Sequence, residues 1–417
     1  MRIGFFGNAN NSPLMLARAL RSAGHDVLFV VDRWEPLNRP ENKYPDLAPP
    51  YPDWIVDVSP LDLWQYPAPP PAQKARAIEL LKSCDVVILN QYGLSLASEI
   101  GKPTVALLTG TDLVELADYR HYDKFAGPVR DFFLQHVNAQ REGIRSAFTV
   151  IYLPKGLLPE SDRLLHEIGV ADERRIYYQM AELDLITPYP APVNNSPLRV
   201  FCIARLTWQQ IQRNFVLSEL DYKGSDIMIR GLGLFWRTTR IPLDIRLIRK
   251  GADVEATEEL AREEGLADQV TWLDEMSQQD VLEQYRIADI VFEQMGGSVI
   301  GMGGIDAMAA ARPVIANGRP EIFDQVRNET SPVCQAATPQ EVCAQLRRLA
   351  ENPAEREQIG QASRFFAERH FSAGNAAKTV MDRVYGHFAL AHFLKATEYH
   401  QMKLELKQKE TVRQLFR

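Results

Sequence analysis

Short runs of apolar, largely β-branched residues recur along the chain, separated by amphipathic segments. In the first half the runs are RIGFF (2–6), VLFVV (27–31), DVVIL (85–89), TVALL (104–108) and TVIYL (149–153). In the second they are RVFCIA (199–204), LDIRLI (243–248), VTWL (270–273), DIVFE (289–293) and PVIA (313–316). They are apolar throughout rather than at alternate positions, which predicts strands covered on both faces, as in parallel sheets. Between them, SPLMLARALRSAGH (12–25), VEATEELAREEGL (254–266) and SQQDVLEQYRIAD (277–289) repeat apolar residues at helical spacing. The first is expected to start with Ser12 as cap and Pro13 just inside, and to stop at Gly24. Ser277, with Asp280 three residues on, resembles a capping box. Strand–helix–strand alternation of this kind implies βαβ units and doubly wound sheets.

The pattern runs, stops and restarts. Residues 186–198, ITPYPAPVNNSPL, hold four prolines and no periodicity, and read as an interdomain linker. The expected organisation is an N-terminal Rossmann-like domain (1–190), a second (191–371), and C-terminal helices (372–417) whose first part packs back on the N-terminal domain. Residues 36–71 interrupt the first half with eleven of the chain's 26 prolines and with Tyr44, Tyr51, Trp54, Trp64 and Tyr66. An insert this long either walls a functional cleft or is an ordered surface excursion. The last stretch, 394–417, is charged, with Leu404, Leu406, Val412, Leu415 and Phe416 scattered through it. It reads as a solvated helix or one that packs on a partner or a membrane surface.

Composition adds limits. The 417 residues are 46% hydrophobic and 24% charged with a net charge of −7, an ordinary globular balance that points away from nucleic acid. Cys84, Cys202, Cys334 and Cys343 form no C-x-x-C pair and no zinc spacing. Cys84 and Cys202 read as reduced core residues, which fits a reducing compartment. MRIGFFGNANNS at the start is a buried strand and a turn, without the features of a signal peptide, and no apolar run is long enough to span a membrane. The expectation is a cytoplasmic protein, with peripheral membrane contact left open.

Candidate chemistry concentrates in 289–317, DIVFEQMGGSVIGMGGIDAMAAARPVIAN, where five of the nine residues 296–304 are glycine. A strand, a glycine-rich loop and the start of a helix expected over IDAMAAA (305–311) expose backbone N–H groups and favour an anion, and glycine lets a diphosphate approach closely. Asp306, expected in the helix's first turn, is placed to accept from ribose hydroxyls. A tight structural loop, with Asp306 as a dipole partner, would read the same way.

The segment resembles the signature of the retaining GT-B glycosyltransferases of family 4: a Glu, then F-G, then a second Glu opening E-A-M-A-x-G-x-P-V-I-A. IDAMAAARPVIA matches the second part, and Gly301 falls at the family glycine. The resemblance implies an α/β GT-B fold, with two Rossmann-like doubly wound domains facing across a cleft. It also implies a nucleotide-sugar donor, UDP- or GDP-linked, a glycan, lipid-linked or other acceptor, and retention at the anomeric carbon without an essential metal. Asp306 takes the place of the ribose-holding second Glu. Ser298 takes that of the first, which contacts the donor sugar; serine is a weaker acceptor than a carboxylate. Glu293, five residues earlier, either substitutes or serves the strand end. IARLTW (203–208) and YKGSD (222–226) resemble the family's G-R-L…K-G. Arg205 and Lys223 would then clamp the diphosphate and neutralise its charge as it leaves. They stand 18 positions apart, with QQIQRNFVLSELD as an insertion, and two surface cations would look alike. By family position the base lies near Leu273 to Met276. LLTGTDL (107–113) resembles the family's H-G-x-D with Thr109 in place of the His and Asp112 matching the Asp, though T-G-T-D also spells a turn into a helix cap. Gly7, Asn8 and Asn10 occupy the position of the acceptor-facing loop.

The expected catalytic set is therefore Arg205, Lys223 and Asp112. The donor-binding set is Gly301, Gly303, Gly304, Asp306, Ser298 and Glu293. Two other readings stay open: another GT-B sugar-nucleotide enzyme such as an epimerase, and a non-catalytic GT-B scaffold or subunit, motivated by Ser298 and Thr109. A Rossmann dehydrogenase fits poorly, because GNANNS rather than G-x-G-x-x-G follows the first strand.

Overall fold

The computed structural model describes residues 1–32, 38–61, 63–66, 71–192, 196–209, 222–296 and 299–415. Its strands are β1 Arg2–Phe6, β2 Asp26–Val31, β3 Ile55–Asp57, β4 Val86–Leu89, β5 Thr104–Leu107, β6 Thr149–Ile151 and β7 Arg175–Ile176. The second half adds β8 Leu198–Cys202, β9 Leu243–Ile248, β10 Val270–Leu273, β11 Ile290–Phe292, β12 Val314–Ala316 and β13 Cys334–Gln335. They form two parallel sheets, ordered β3-β2-β1-β4-β5-β6-β7 and β10-β9-β8-β11-β12-β13. Both orders are the doubly wound 3-2-1-4-5-6 arrangement, extended by one strand in the first sheet.

The central strands are buried on both faces, as continuous apolar runs require: all four residues of β4 and of β5 are buried. The three strands absent from the sequence pattern, β3, β7 and β13, are two or three residues long and lie at sheet edges. There, half-exposed positions remove the apolar run. The proline-rich insert supplies β3 and a short helix, Pro40–Lys43, so it is built into the domain rather than looped out.

Helix starts differ from expectation at two places. The helix Ser12–Ser22 is capped by Asn11, in left-handed backbone at φ 57°, and Ser12 is its first helical residue. Asparagine tolerates that conformation. The helix expected at 305–311 spans Met302–Ala309, with Gly301 as its cap. Gly303 and Gly304 are therefore helical, and Asp306 sits in the second turn, not the first. Ser277 does cap Gln278–Ile287, accepting from the Asp280 N–H.

A chain crossing joins the halves. The Ala181 N–H bonds the Phe371 carbonyl at 2.7 Å, and Tyr189 N–H bonds Ala310 O at 3.1 Å. The last helix, Ala373–Leu415, lays Ala376, Ala377, Val380, Met381 and Val384 into the core beneath the first sheet with Leu14, Leu16 and Phe29. Burial of each large apolar side chain there contributes about 1.5–3 kcal/mol. Farther along, Leu390, Phe393, Leu394 and Leu404 are exposed. All four cysteines are free and buried. Among the described residues, no helix is long and apolar enough to cross a membrane.

Candidate active site

In each sheet the strand order reverses beside its first strand, between β1 and β4 and between β8 and β11. At such a reversal the connections leave to opposite faces and open a crevice at the carboxyl ends, the usual ligand position in open α/β sheets.

In the second sheet that crevice lies between the loop after β8 and the loop after β11. Lys223 stitches them together: its N–H bonds Thr207 O at 2.9 Å, and its carbonyl accepts from Met295 N at 2.9 Å and Gly296 N at 3.2 Å. The approach is close. A Cβ on Gly224, which has φ +67°, would meet Gly296 N at 2.9 Å. Asn317, after β12, donates to Gly296 O at 3.2 Å. On the other side Leu206 N bonds Lys250 O at 2.7 Å, and the buried Asp253 carboxylate accepts from Trp208 N and Gln209 N. Arg205 sits exposed in this doubly clamped loop. Ile203, two residues before it, touches the start of the helix: a Cβ on Gly303 would come 2.2 Å from Ile203 Cγ2. Arg205, Lys223 and the glycine loop thus share one carboxyl edge although far apart in sequence. Ser298 lies outside the described residues, as does most of the insertion between Arg205 and Lys223.

Glu293 faces inward. It is 5% exposed, and its Oε2 accepts the Gly301 N–H at 2.8 Å. Burial raises its carboxyl above the usual range, against the pull of that bond and of nearby Lys223. The carboxylate fills the space a side chain at Gly301 would need, and Ile300 with the Glu293 stem fills that at Gly304. In this arrangement it holds the loop in shape rather than presenting itself to a sugar. Gly304 N is also committed, to Gly301 O at 3.1 Å. The N–H groups at the helix start that an anion would meet are therefore those of Met302 and Gly303 rather than all four of 301–304.

Asp306 is partly buried, and Gln278 Nε2 donates to it at 3.3 Å, joining the helix to the segment after β10 where the base is expected. Burial pushes its carboxyl up to about 6, against Lys43 and Gln278. Tyr285 secures the helix by donating to Gly303 O at 2.8 Å.

On the N-terminal side, Asn90 does the stitching. Fully buried after β4, it accepts from Ala9 N at 2.8 Å and donates to Leu107 O at 2.8 Å and to Asp112 at 3.1 Å. Asp112 is 0% exposed, its oxygens taken by Thr109 N at 2.9 Å and Gly110 N at 3.0 Å. Burial raises its carboxyl to about 6 despite those bonds. A carboxylate so enclosed shapes the turn, with its oxygens turned to the backbone of its own loop. Asn8 similarly holds its own loop, accepting from Leu14 N at 3.1 Å and bonding Asn11 at 2.9 Å.

The halves meet at these loops. Gln179, in the crossing segment, donates to Ile300 O at 2.8 Å. Leu157 and Leu158 pack with Phe323 and Val299, and Met302 packs on the N-terminal core cluster that includes Met15 and Tyr44. Sequence reasoning missed Asn90, Gln179, Gln278 and Tyr285. Each is a single polar residue acting through a long-range contact, with no spacing signal. Among the described residues, no group of three or more His, Cys, Asp or Glu is placed to hold a metal ion.

Two doubly wound domains whose carboxyl edges face each other define the GT-B class, and the comparisons agree. Residues 215–365 match the family model described as Glycosyl transferases group 1. That segment is a glycosyltransferase domain, in a chain with the GT-B fold. Sucrose-phosphate synthase from Thermosynechococcus elongatus superposes with a TM-score of 0.59 at 16% identity, covering 94% of this chain and 100% of that one. Anabaena Alr3699/HepE, in complex with UDP-glucose, gives 0.61 at 16% identity over 93% and 100%. The lipopolysaccharide outer core galactosyltransferase WaaB gives 0.53 at 14% identity over 93% and 99%. No curated protein sequence matches the chain.

Proposed function

We propose that the chain transfers a sugar, with retention, from a nucleotide-sugar donor to a glycan, lipid-linked or other hydroxyl acceptor, and that the donor sits at the carboxyl ends of β8 and β11. The observation that carries this reading is the convergence of Lys223, the Arg205 loop and the glycine loop at the point where the second sheet's order reverses. Arg205 and Lys223 neutralise the diphosphate as its charge grows on departure, helped by the Met302 and Gly303 N–H groups. Asp306 accepts from the ribose hydroxyls. The Asn90–Asp112 turn fixes the acceptor side. Alr3699/HepE is described with UDP-glucose, which favours a uridine donor over a guanosine one.

A thermal-shift screen of UDP-, GDP-, ADP- and dTDP-sugars, repeated on Arg205→Ala, tests it. One donor should stabilise the wild type selectively and the variant far less. A wild type that none of them stabilises would overturn the donor assignment.

A further inference from the structure

The insert's short helix Pro40–Lys43 is held on a rigid knot. Arg39, just before it, bonds Glu41 at 2.9 Å, Asp57 at 2.9 Å, Tyr51 at 2.5 Å and Asp32 O at 3.2 Å, tying the insert to β2 and β3. Tyr44, just after it, is 2% exposed under the Arg18 guanidinium, 4.3 Å from its ring centre. Lys43 between them is thus presented in a fixed place. Its ammonium has one hydrogen-bond contact among the described residues, the thioether sulfur of Met15 at 3.1 Å. That is a weak acceptor for a charge with three donors.

Across the cleft stands the donor helix. Met302, its first residue, packs on the core cluster that holds Met15 and Tyr44. Asp306 is four residues on, so it lies on the same helix face. The acidic groups acting on Lys43 are Asp306 and Glu182, the latter paired with Arg18 at 3.4 Å, and Lys43 is the leading cation acting on Asp306. Lys43, held at Met15 and 5.5 Å from the Tyr44 ring centre, and the helix of Asp306, whose Met302 packs on the cluster of those two residues, bring an ammonium and a carboxylate of two domains within electrostatic reach of each other.

We infer that Lys43 is a donor-binding residue contributed by the N-terminal domain, hydrogen-bonding the ribose hydroxyls that Asp306 holds from the other side. This rests on the donor site proposed above. A cis-diol presents both donors and acceptors, so a carboxylate and an ammonium on opposite sides complete its hydrogen bonds. Binding would then draw the two domains together over the nucleotide.

The test is calorimetric titration of UDP and GDP, and of their 2′,3′-dideoxy analogues, into the full-length wild type, Lys43→Met, Lys43→Arg and Asp306→Asn. Lys43→Met keeps the apolar stem against Met15 and should raise Kd about tenfold for the ribonucleotide, with no change for the dideoxy analogue. Lys43→Arg should restore part of the loss. A wild type that binds neither nucleotide overturns the donor site itself. Binding weakened by Asp306→Asn but unchanged by Lys43→Met overturns the role of Lys43 alone. Equal losses for the ribo and dideoxy forms would likewise refute the ribose contact.

Discussion

Adding a single methyl group at Gly301 probes the loop most sharply. The backbone there, at φ −69°, accepts alanine without strain, so any cost arises from contacts. The new Cβ would lie 2.6 Å from Glu293 Oε1 and 3.1 Å from Cδ, and the same carboxylate takes the Gly301 N–H at 2.8 Å. Relieving the overlap pushes the carboxylate off its hydrogen bond, inside a site where it is nearly sealed from water. Overpacking costs about 1–3 kcal/mol, and a lost hydrogen bond to a charged group about 1.5–3. One displacement produces both, so they overlap rather than add. The gain from restricting the unfolded chain returns about 0.4–1 kcal/mol. Gly301→Ala should therefore destabilise by about 1–2.5 kcal/mol, read from the urea midpoint at constant slope. In a Glu293→Ala background the methyl has room, and its cost should vanish or reverse. An equal cost in both backgrounds would refute the claim that Glu293 shapes this loop.

Other expectations follow from the same contacts. Gly303→Ala should push Ile203 and the Arg205 loop aside, weakening nucleotide binding by about 1–2 kcal/mol, with Ile203→Ala restoring part of it in the double variant. Asp112→Ala leaves the Thr109, Gly110 and Asn90 donors without their acceptor in a sealed site, and should cost about 3 kcal/mol in urea unfolding. Asp306, raised from 3.8 to about 6, ionises as pH climbs through that value. Donor affinity measured by calorimetry should therefore rise from pH 5 to 7, and flatten in Asp306→Asn. Stability runs the other way: the raised group favours the folded state at low pH, and that contribution is lost as pH passes about 6.

The sequence carried the sheet cores well, because a strand covered on both faces must be apolar at every position. VLFVV and DVVIL could be read directly, whereas Arg175–Ile176 at an edge has no such obligation. The glycine loop reads in the sequence as a ligand loop, and in the structure its glycines serve packing: Gly303 makes way for Ile203, and Gly301 for Glu293. The helix start slipped by three residues because a glycine cap leaves no side-chain signature. Lys223 could be placed beside the loop only through its backbone, which a residue pattern does not encode. Asp112 looked the same as site or turn until its burial was known.

A crystal structure of the protein with the nucleoside diphosphate that raises its melting temperature most is the most direct measurement. The diphosphate is predicted to lie between Arg205, Lys223 and the Met302–Gly303 N–H groups, with its ribose at Asp306. Density for the nucleotide in the β1–β4 crevice of the first sheet, with the second crevice empty, would contradict the account.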